Sequence, residues 1–194
     1  MTDAIDYYDR NGATFFEGSV HADMSADRSR FLKYVKPFGS ILDGGCGSGR
    51  DALAFKNAGY VVMAMDGSAE MVRRASRHTG LAVRHLRFEQ IEWRDLFDGI
   101  WTCASLLHVP RANLPDIMAR LARALRPGGA WYLSFKLGER ERSTDRHFTD
   151  MTEPMLSAAI ADTGLVCHEI WISADVRPGR EHEGWVAAIA AKAG

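Results

Sequence analysis

The run Ser40-Ile41-Leu42-Asp43-Gly44-Gly45-Cys46-Gly47-Ser48-Gly49-Arg50-Asp51 constrains the fold of this chain more than any other stretch. Ile41 and Leu42 are apolar and branched, as a central strand requires, and the glycines that follow free the backbone from the limits a Cβ imposes. Asp51 to Ala58 then carries Ala52, Phe55 and Ala58 at helical spacing, with Gly59 as the stop. The order is strand, glycine turn, helix. Such a turn lets a ligand approach the backbone closely, and Asp43 stands at the strand's end, where its carboxylate can meet a cationic group.

A second strand, Tyr60 to Met65, is continuously apolar, as expected of a strand covered on both faces, and it ends at Asp66. Asp66 follows the glycine turn by roughly 20 residues, the spacing at which a carboxylate on the neighbouring strand tip receives the ribose hydroxyls of a nucleoside. Ser68 caps the next helix, Gly80 lies beyond its end, and Met71 points back to the ligand side. Val83 to Phe88 reads as a third strand, and Glu89-Gln90 after it offers polar groups to a base. Phe97 to Cys103 forms the fourth strand, opening onto Ala104-Ser105-Leu106-Leu107-His108. Leu114, Ile117, Met118, Leu121 and Leu125 make an apolar helical stripe that Arg126-Pro127-Gly128-Gly129 breaks before a fifth strand, Ala130 to Phe135. Lys136 to Asp150 is a long, charged connector. Thr152 caps a helix with Pro154 in its first turn, and Leu165 to Ser173 and Trp185 to Ala191 are the last two strands. Too few residues separate that pair for a crossover helix, so it is antiparallel.

The chain ahead of the first strand, residues 1–36, carries Tyr7, Tyr8, Phe15 and Phe16 and a helix from Ser25 to about Lys36; it is expected to form a lid over a core spanning 37–191. These elements imply an α/β fold, a Rossmann-like doubly wound seven-stranded sheet, mostly parallel with an antiparallel last strand, in a single domain of 194 residues. In such a sheet the ligand sits at the switch point beside the carboxyl end of the first strand.

Lys plus Arg number 24 against 25 for Asp plus Glu, so no global field draws the chain to nucleic acid or to an anionic membrane. Cys46, Cys103 and Cys167 have no metal-ligand or disulfide spacing, which leaves no metal site indicated and matches a reducing, cytoplasmic setting. The first residues are acidic and contain no apolar signal core, and no run has the length to span a bilayer.

With Ile41, Leu42, Asp43, Gly45, Gly47 and Gly49 in place, the chain from about Pro37 to Ala191 resembles the class I methyltransferases that use S-adenosylmethionine. Leu125-Arg126-Pro127-Gly128-Gly129 and the terminal antiparallel pair are further marks of that family. The runs Tyr7-Tyr8-Asp9, Gly47-Ser48-Gly49-Arg50-Asp51, Ser105 to Pro110 and Arg177-Pro178-Gly179-Arg180 are most similar to small-molecule enzymes described as tellurite-resistance-like. The resemblance implies S-adenosyl-L-methionine as cofactor, held by Tyr8, Asp43, Gly45, Cys46, Gly47, Gly49, Asp66, Gly67, Ser68, Met71, Phe88, Glu89, Gln90, Ala104 and Ser105. It also implies a small-molecule methyl acceptor, in-line displacement at the methyl group, and His108 as the candidate base. Tyr7, His147, Arg177, Arg180 and His182 are the candidate acceptor contacts and point to a carboxylate or oxyanion. Gly44 replaces the larger apolar residue usual in the family, and no Asn/Asp-Pro-Pro-Tyr motif follows the fourth strand, which argues against methylation of an amide or exocyclic base nitrogen. Two other readings share these residues: a non-catalytic domain that binds S-adenosylmethionine, and a nicotinamide-dependent oxidoreductase, since Gly47-x-Gly49-x-x-Ala52 also satisfies the dinucleotide pattern.

Overall fold

A computed structural model describes residues 4–194; the first three residues of the expected lid and of the expected single domain lie outside the described residues. Helices α1 (Ala4–Ser19) and α2 (Ser25–Leu32) precede β1 (Ser40–Gly44), α3 (Arg50–Asn57), β2 (Val61–Asp66), α4 (Ala69–Thr79) and β3 (Arg84–His85). Then come β4 (Phe97–Thr102), α5 (Leu114–Ala124), β5 (Leu125–Lys136), a hairpin of β6 (Glu141–Ser143) and β7 (His147–Thr149), α6 (Glu153–Ala161), β8 (Val166–Ala174) and β9 (Gly184–Ala191). Seven strands make the main sheet in the order β3-β2-β1-β4-β5-β9-β8, the first five parallel and β9 antiparallel to both neighbours. The strand order reverses at β1, between β2 and β4, so the loops leaving β1 and β4 face each other across one crevice.

Alternation along the strands feeds two cores. On one face Ile41, Trp101 and Tyr132 pack under Phe31 and Val35 at α2 and Phe55 of α3; on the other, Leu42, Ile100, Trp131 and Leu133 meet Ile117, Leu121, Leu156 and Ile160 of α5 and α6. Each of these large side chains is fully buried, and each such burial contributes about 1.5–3 kcal/mol. Gly99 in β4 permits the close approach of α2: a Cβ there would lie 2.8 Å from the Phe31 ring and 3.0 Å from Val35. At the amino ends of the strands, Asp98 Oδ2 accepts hydrogen bonds from the Ser40 amide (2.7 Å) and from Arg126 Nη1 (2.8 Å), pinning β1, β4 and β5 together at the edge opposite the crevice.

Several local expectations need correction. Ser25 opens α2 instead of capping it; the Asp23 carboxylate takes the Ser25 amide at 2.8 Å, and the helix ends at Leu32, short of Lys36. The third strand pairs only at Arg84 and His85, since Phe88–Gln90 winds into a 3₁₀ turn in which the Gln90 side chain accepts the Arg87 amide. The Pro127-Gly128-Gly129 break does not leave the sheet: it is a bulge in β5, with Gly128 at φ +75°, between the pairs Phe97–Leu125 and Gly99–Ala130. Thr152 occupies the cap position of α6 without a side-chain bond. The long connector after β5 folds into the β6–β7 hairpin. A bulge between Cys167 and Glu169 also interrupts the pairing of β8 with β9. Among the described residues no helix is long and apolar enough to cross a membrane.

The tight contact at Gly99 yields a prediction. Gly99→Ala forces Phe31 and Val35 outward, and chemical unfolding monitored by tryptophan fluorescence should show a loss of about 1–3 kcal/mol.

Candidate active site

The carboxyl ends of β1, β2, β4 and β5, with α1 and the β6–β7 hairpin, enclose a cavity of about 420 Å³. Its floor is the glycine turn. Gly45, Gly47 and Gly49 adopt φ of +71°, +53° and +77°, and the amides of Gly45 and Cys46 both donate to the Met65 carbonyl at 2.9 Å, bending the turn over β2. A Cβ at position 45 would stand 2.5 Å from that of Ser105, whose hydroxyl donates to the Gly44 carbonyl at 2.8 Å. Gly44 itself lies where a Cβ would be 3.3 Å from Phe88 and Thr102, so a larger residue there would need those side chains to give way.

Asp43 is buried at the end of β1 and lines the cavity, and its Oδ2 has no hydrogen-bond partner. Burial, reinforced by the nearby Asp51 carboxylate, pushes its pKa well above the usual carboxylate range. A cation placed there would reverse that cost. Asp66 accepts the Gly47 amide on Oδ2 and the Ser68 amide on Oδ1, each at 2.9 Å, so the tip of β2 is tied directly to the glycine turn. Burial raises its pKa, and these two amides act against the rise.

Of the residues expected to touch cofactor, Tyr8, Asp43, Gly45, Cys46, Gly47, Asp66, Gly67, Met71, Phe88, Glu89, Ala104 and Ser105 line the cavity. Gly49, Ser68 and Gln90 do not. Gly49 faces α4, where a Cβ would be 2.7 Å from Thr79, so its smallness serves helix packing. The Ser68 hydroxyl caps α4 by accepting the Met71 amide and donates to Asp9 Oδ1 at 2.6 Å, which docks α1 onto α4. Gln90 is occupied by the Arg87 amide.

Among the expected acceptor contacts, Arg177 and Arg180 line the cavity, whereas Tyr7, His147 and His182 do not. Both arginines are already neutralised. Arg177 grips Asp175 through Nε (2.9 Å) and Nη2 (2.5 Å), and Arg180 meets Glu183 at 2.6 Å, which Lys136 also contacts. Although burial opposes it, these bonds hold the Asp175 and Glu183 carboxyls down at about 2.

His108 lies at the cavity wall with both ring nitrogens engaged. The His147 carbonyl 2.8 Å from Nδ1 can only accept, so Nδ1 carries the proton and Nε2 accepts the Tyr8 hydroxyl at 2.8 Å. Burial pushes the imidazole pKa down to about 3 and that of Tyr8 up to about 12. His108, expected as the base, is thus a neutral ring of lowered basicity whose Nε2 lone pair accepts the Tyr8 hydroxyl and so fastens α1.

Several cavity residues escaped the sequence reading. Arg146 and Phe148 reach it from the hairpin, and Asp27 of α2 accepts the Tyr132 hydroxyl at 3.1 Å. Arg50 lines it while bonded to Asp51 (2.5 Å), which also takes Arg28 (2.6 Å) and the Trp101 indole (3.0 Å). Burial opposes ionisation of Asp51, but Arg50 and Arg28 hold its carboxyl below the usual range. The available signal was the adjacent Arg50-Asp51 pair opening a helix that is otherwise packed into the core.

Residues 41–129 match the family model of a methyltransferase domain. The malonyl-[acyl-carrier protein] O-methyltransferase of Salmonella typhimurium is 32% identical over 109 residues, a match covering 54% of this chain and 42% of that relative. The 1,6-didemethyltoxoflavin-N1-methyltransferase of Burkholderia thailandensis, solved with 1,6-didemethyltoxoflavin and S-adenosylhomocysteine, superposes with a TM-score of 0.78 over 96% of this chain and 84% of its own at 20% identity. The fold is that of the class I methyltransferases. Magnesium protoporphyrin IX methyltransferase of Synechocystis PCC 6803, bound to S-adenosylhomocysteine, shares the methyltransferase fold at a TM-score of 0.76, over 98% of each chain and at 15% identity. The matched segment runs through β1, the glycine turn and Asp66 to the bulge of β5, so the methyltransferase model covers the cavity floor.

The histidine clasp is directly testable. Because the His108 pKa falls from 6.5 to about 3 on folding, the unfolded chain binds this proton first, and the stability the neutral ring contributes above pH 6.5 is lost as pH falls toward 3. Nitrogen NMR of the folded protein should show the Nδ1–H tautomer of His108 unchanged between about pH 5 and 8. A midpoint near neutrality would contradict the clasp.

Proposed function

We propose that the chain is an S-adenosylmethionine-dependent methyltransferase acting on a small-molecule acceptor. The observation that carries this reading is the Asp43 carboxylate oxygen buried without a partner beside the glycine turn. An α-ammonium group is the complement it lacks. The methyltransferase-domain match and the neighbours bound to S-adenosylhomocysteine support the same cofactor.

In this reading Asp43 receives the amino group, and the Gly45–Gly47 backbone lies against the aminoacyl chain. Asp66 has lone pairs beyond those given to Gly47 and Ser68 and takes the ribose hydroxyls, while Met71, Phe88 and Glu89 surround the base. Ala104 and Ser105 flank the tail from the β4 side. The cofactor supplies an electrophilic methyl group on sulfur. The protein's part is to exclude water and hold the acceptor in line, and alignment at about 3–3.5 Å supplies ~7–11 kcal/mol of the barrier reduction. Residues 4–36 act as a lid on a core running to 191, since Asp9 and Tyr8 fasten α1 to the loops that form the floor and wall. A cavity roofed in this way suits a small acceptor and supports the tellurite-resistance-like subtype, whose Tyr7-Tyr8-Asp9 run supplies both fastenings. Three free cysteines, two of them in the cavity, are consistent with a reducing cytoplasm.

Calorimetric titration with S-adenosylhomocysteine tests the proposal. The protein should bind it saturably and give no heat with NADH, and Asp43→Asn or Asp66→Ala should each weaken binding by ~1.5–3 kcal/mol with the fold intact. Absence of binding would overturn the reading. Labelled methyl groups transferred from the donor to compounds of a metabolite extract would then separate turnover from binding alone.

A further inference from the structure

Two buried polar atoms of the cavity have no hydrogen-bond partner, and they belong to groups of opposite charge: Asp43 Oδ2 and Arg146 Nε. The first is explained by the cofactor reading. The second lies elsewhere. Arg146 projects from the hairpin between the rings of Tyr7 (4.5 Å from its guanidinium carbon), Phe148 (4.9 Å) and Tyr8 (5.3 Å). Its Nη1 donates to the Tyr8 hydroxyl at 2.6 Å.

Every neighbouring cation at this end is answered by a carboxylate: Arg177 by Asp175, and Arg180 and Lys136 by Glu183. Arg146 is in no ion pair among the described residues. Tyr8 is no substitute, because burial keeps the phenol neutral. The guanidinium is part-buried and has no counter-ion, its Nε has no partner, and a carboxylate entering the cavity beside the three rings would supply the charge-assisted contact it lacks. Arg146 reaches the glycine turn only through successive ring contacts: Tyr8 at 5.3 Å, Phe15 4.8 Å from Tyr8, and Phe15 3.2 Å from where a Gly47 Cβ would be. An anion at Arg146 therefore belongs to the acceptor's end of the cavity, away from the aminoacyl tail.

We propose that Arg146 is the anion-binding residue of the acceptor site, so that the acceptor carries a carboxylate or similar oxyanion gripped by its guanidinium beside the Tyr7, Tyr8 and Phe148 rings. This rests on the methyltransferase reading and moves acceptor recognition from Arg177 and Arg180, which are spent on Asp175 and Glu183, to a residue of the hairpin.

Benzoate and benzamide, planar probes of one size that differ in charge, separate the possibilities when titrated by calorimetry into protein saturated with S-adenosylhomocysteine. Benzoate should bind at least about tenfold more tightly than benzamide, as expected for a charge-assisted bidentate contact. Arg146→Gln should abolish that preference and Arg146→Lys retain part of it, with S-adenosylhomocysteine affinity within about twofold of the parent in both. Equal binding of the two probes, binding of neither, or a preference that survives in Arg146→Gln would overturn the assignment. So would a tenfold loss of S-adenosylhomocysteine affinity in Arg146→Gln, which would assign the guanidinium to the cofactor's own carboxylate. Failure of the parent protein to bind S-adenosylhomocysteine in the first titration would sink the methyltransferase reading itself, and is thereby told apart from failure at Arg146.

Discussion

The carbonyl of Met65 and the carboxylate of Asp66 together hold the backbone that follows β1: the carbonyl takes two amides of the glycine turn, and the carboxylate takes a third. Because of these bonds, the strand tip of β2 and the turn after β1 are one rigid unit. Ser105 closes the unit from the β4 side through the Gly44 carbonyl. Three loops that are distant in sequence thus share one set of hydrogen bonds, and the crevice between them exists because glycine at 45 and 47 tolerates the required backbone. A side chain at either place would strike Ser105 or Phe15.

Above this floor the charges follow a simple rule. Where a carboxylate or guanidinium only needs to be buried, it is answered within the chain, as Asp51 is by Arg28 and Arg50 and Asp98 by Arg126. Two polar atoms of the cavity residues, Asp43 Oδ2 and Arg146 Nε, are left without a partner in the chain. The fastening of α1 uses neutral or helix-terminal groups instead: Tyr8 on His108, and Asp9 on Ser68 and the Glu70 amide at the start of α4.

What the sequence revealed was what depends on neighbours in sequence. The strand, glycine turn and helix around Asp43, the Ser68 cap, Asp66 on its strand tip and the antiparallel ending are written in short-range pattern, and right-handed crossovers put the strand tips at one edge. What stayed hidden depends on partners far along the chain. Tyr8 meets His108 across 100 residues, and Arg146 meets Tyr8 across 138, so neither the muted imidazole nor the unanswered guanidinium had a local signature. Gly49 and Ser68 belonged to the right motif yet face α4 and α1, because a motif fixes residue type without fixing which side of a turn meets the ligand. The shortness of β3 was likewise invisible, since the alternating run Val83 to Phe88 does not disclose that the Gln90 side-chain amide will wind its end into a turn.

The bulge in β8 has a consequence for the sheet's two margins. An outer strand with a straight row of free amides and carbonyls is a template on which another chain can add its own strand. Here one margin is two residues long, and the other is kinked between Cys167 and Glu169 and overhung by α2 residue Arg30 stacked on Trp171 and by Tyr34 bonded to Glu169. The β3 border is too short to template a strand, and on the β8 border the bulge and the overhanging α2 side interrupt and cover the start of the edge beside the exposed Val166, leaving Glu169 to Ala174 as its regular stretch.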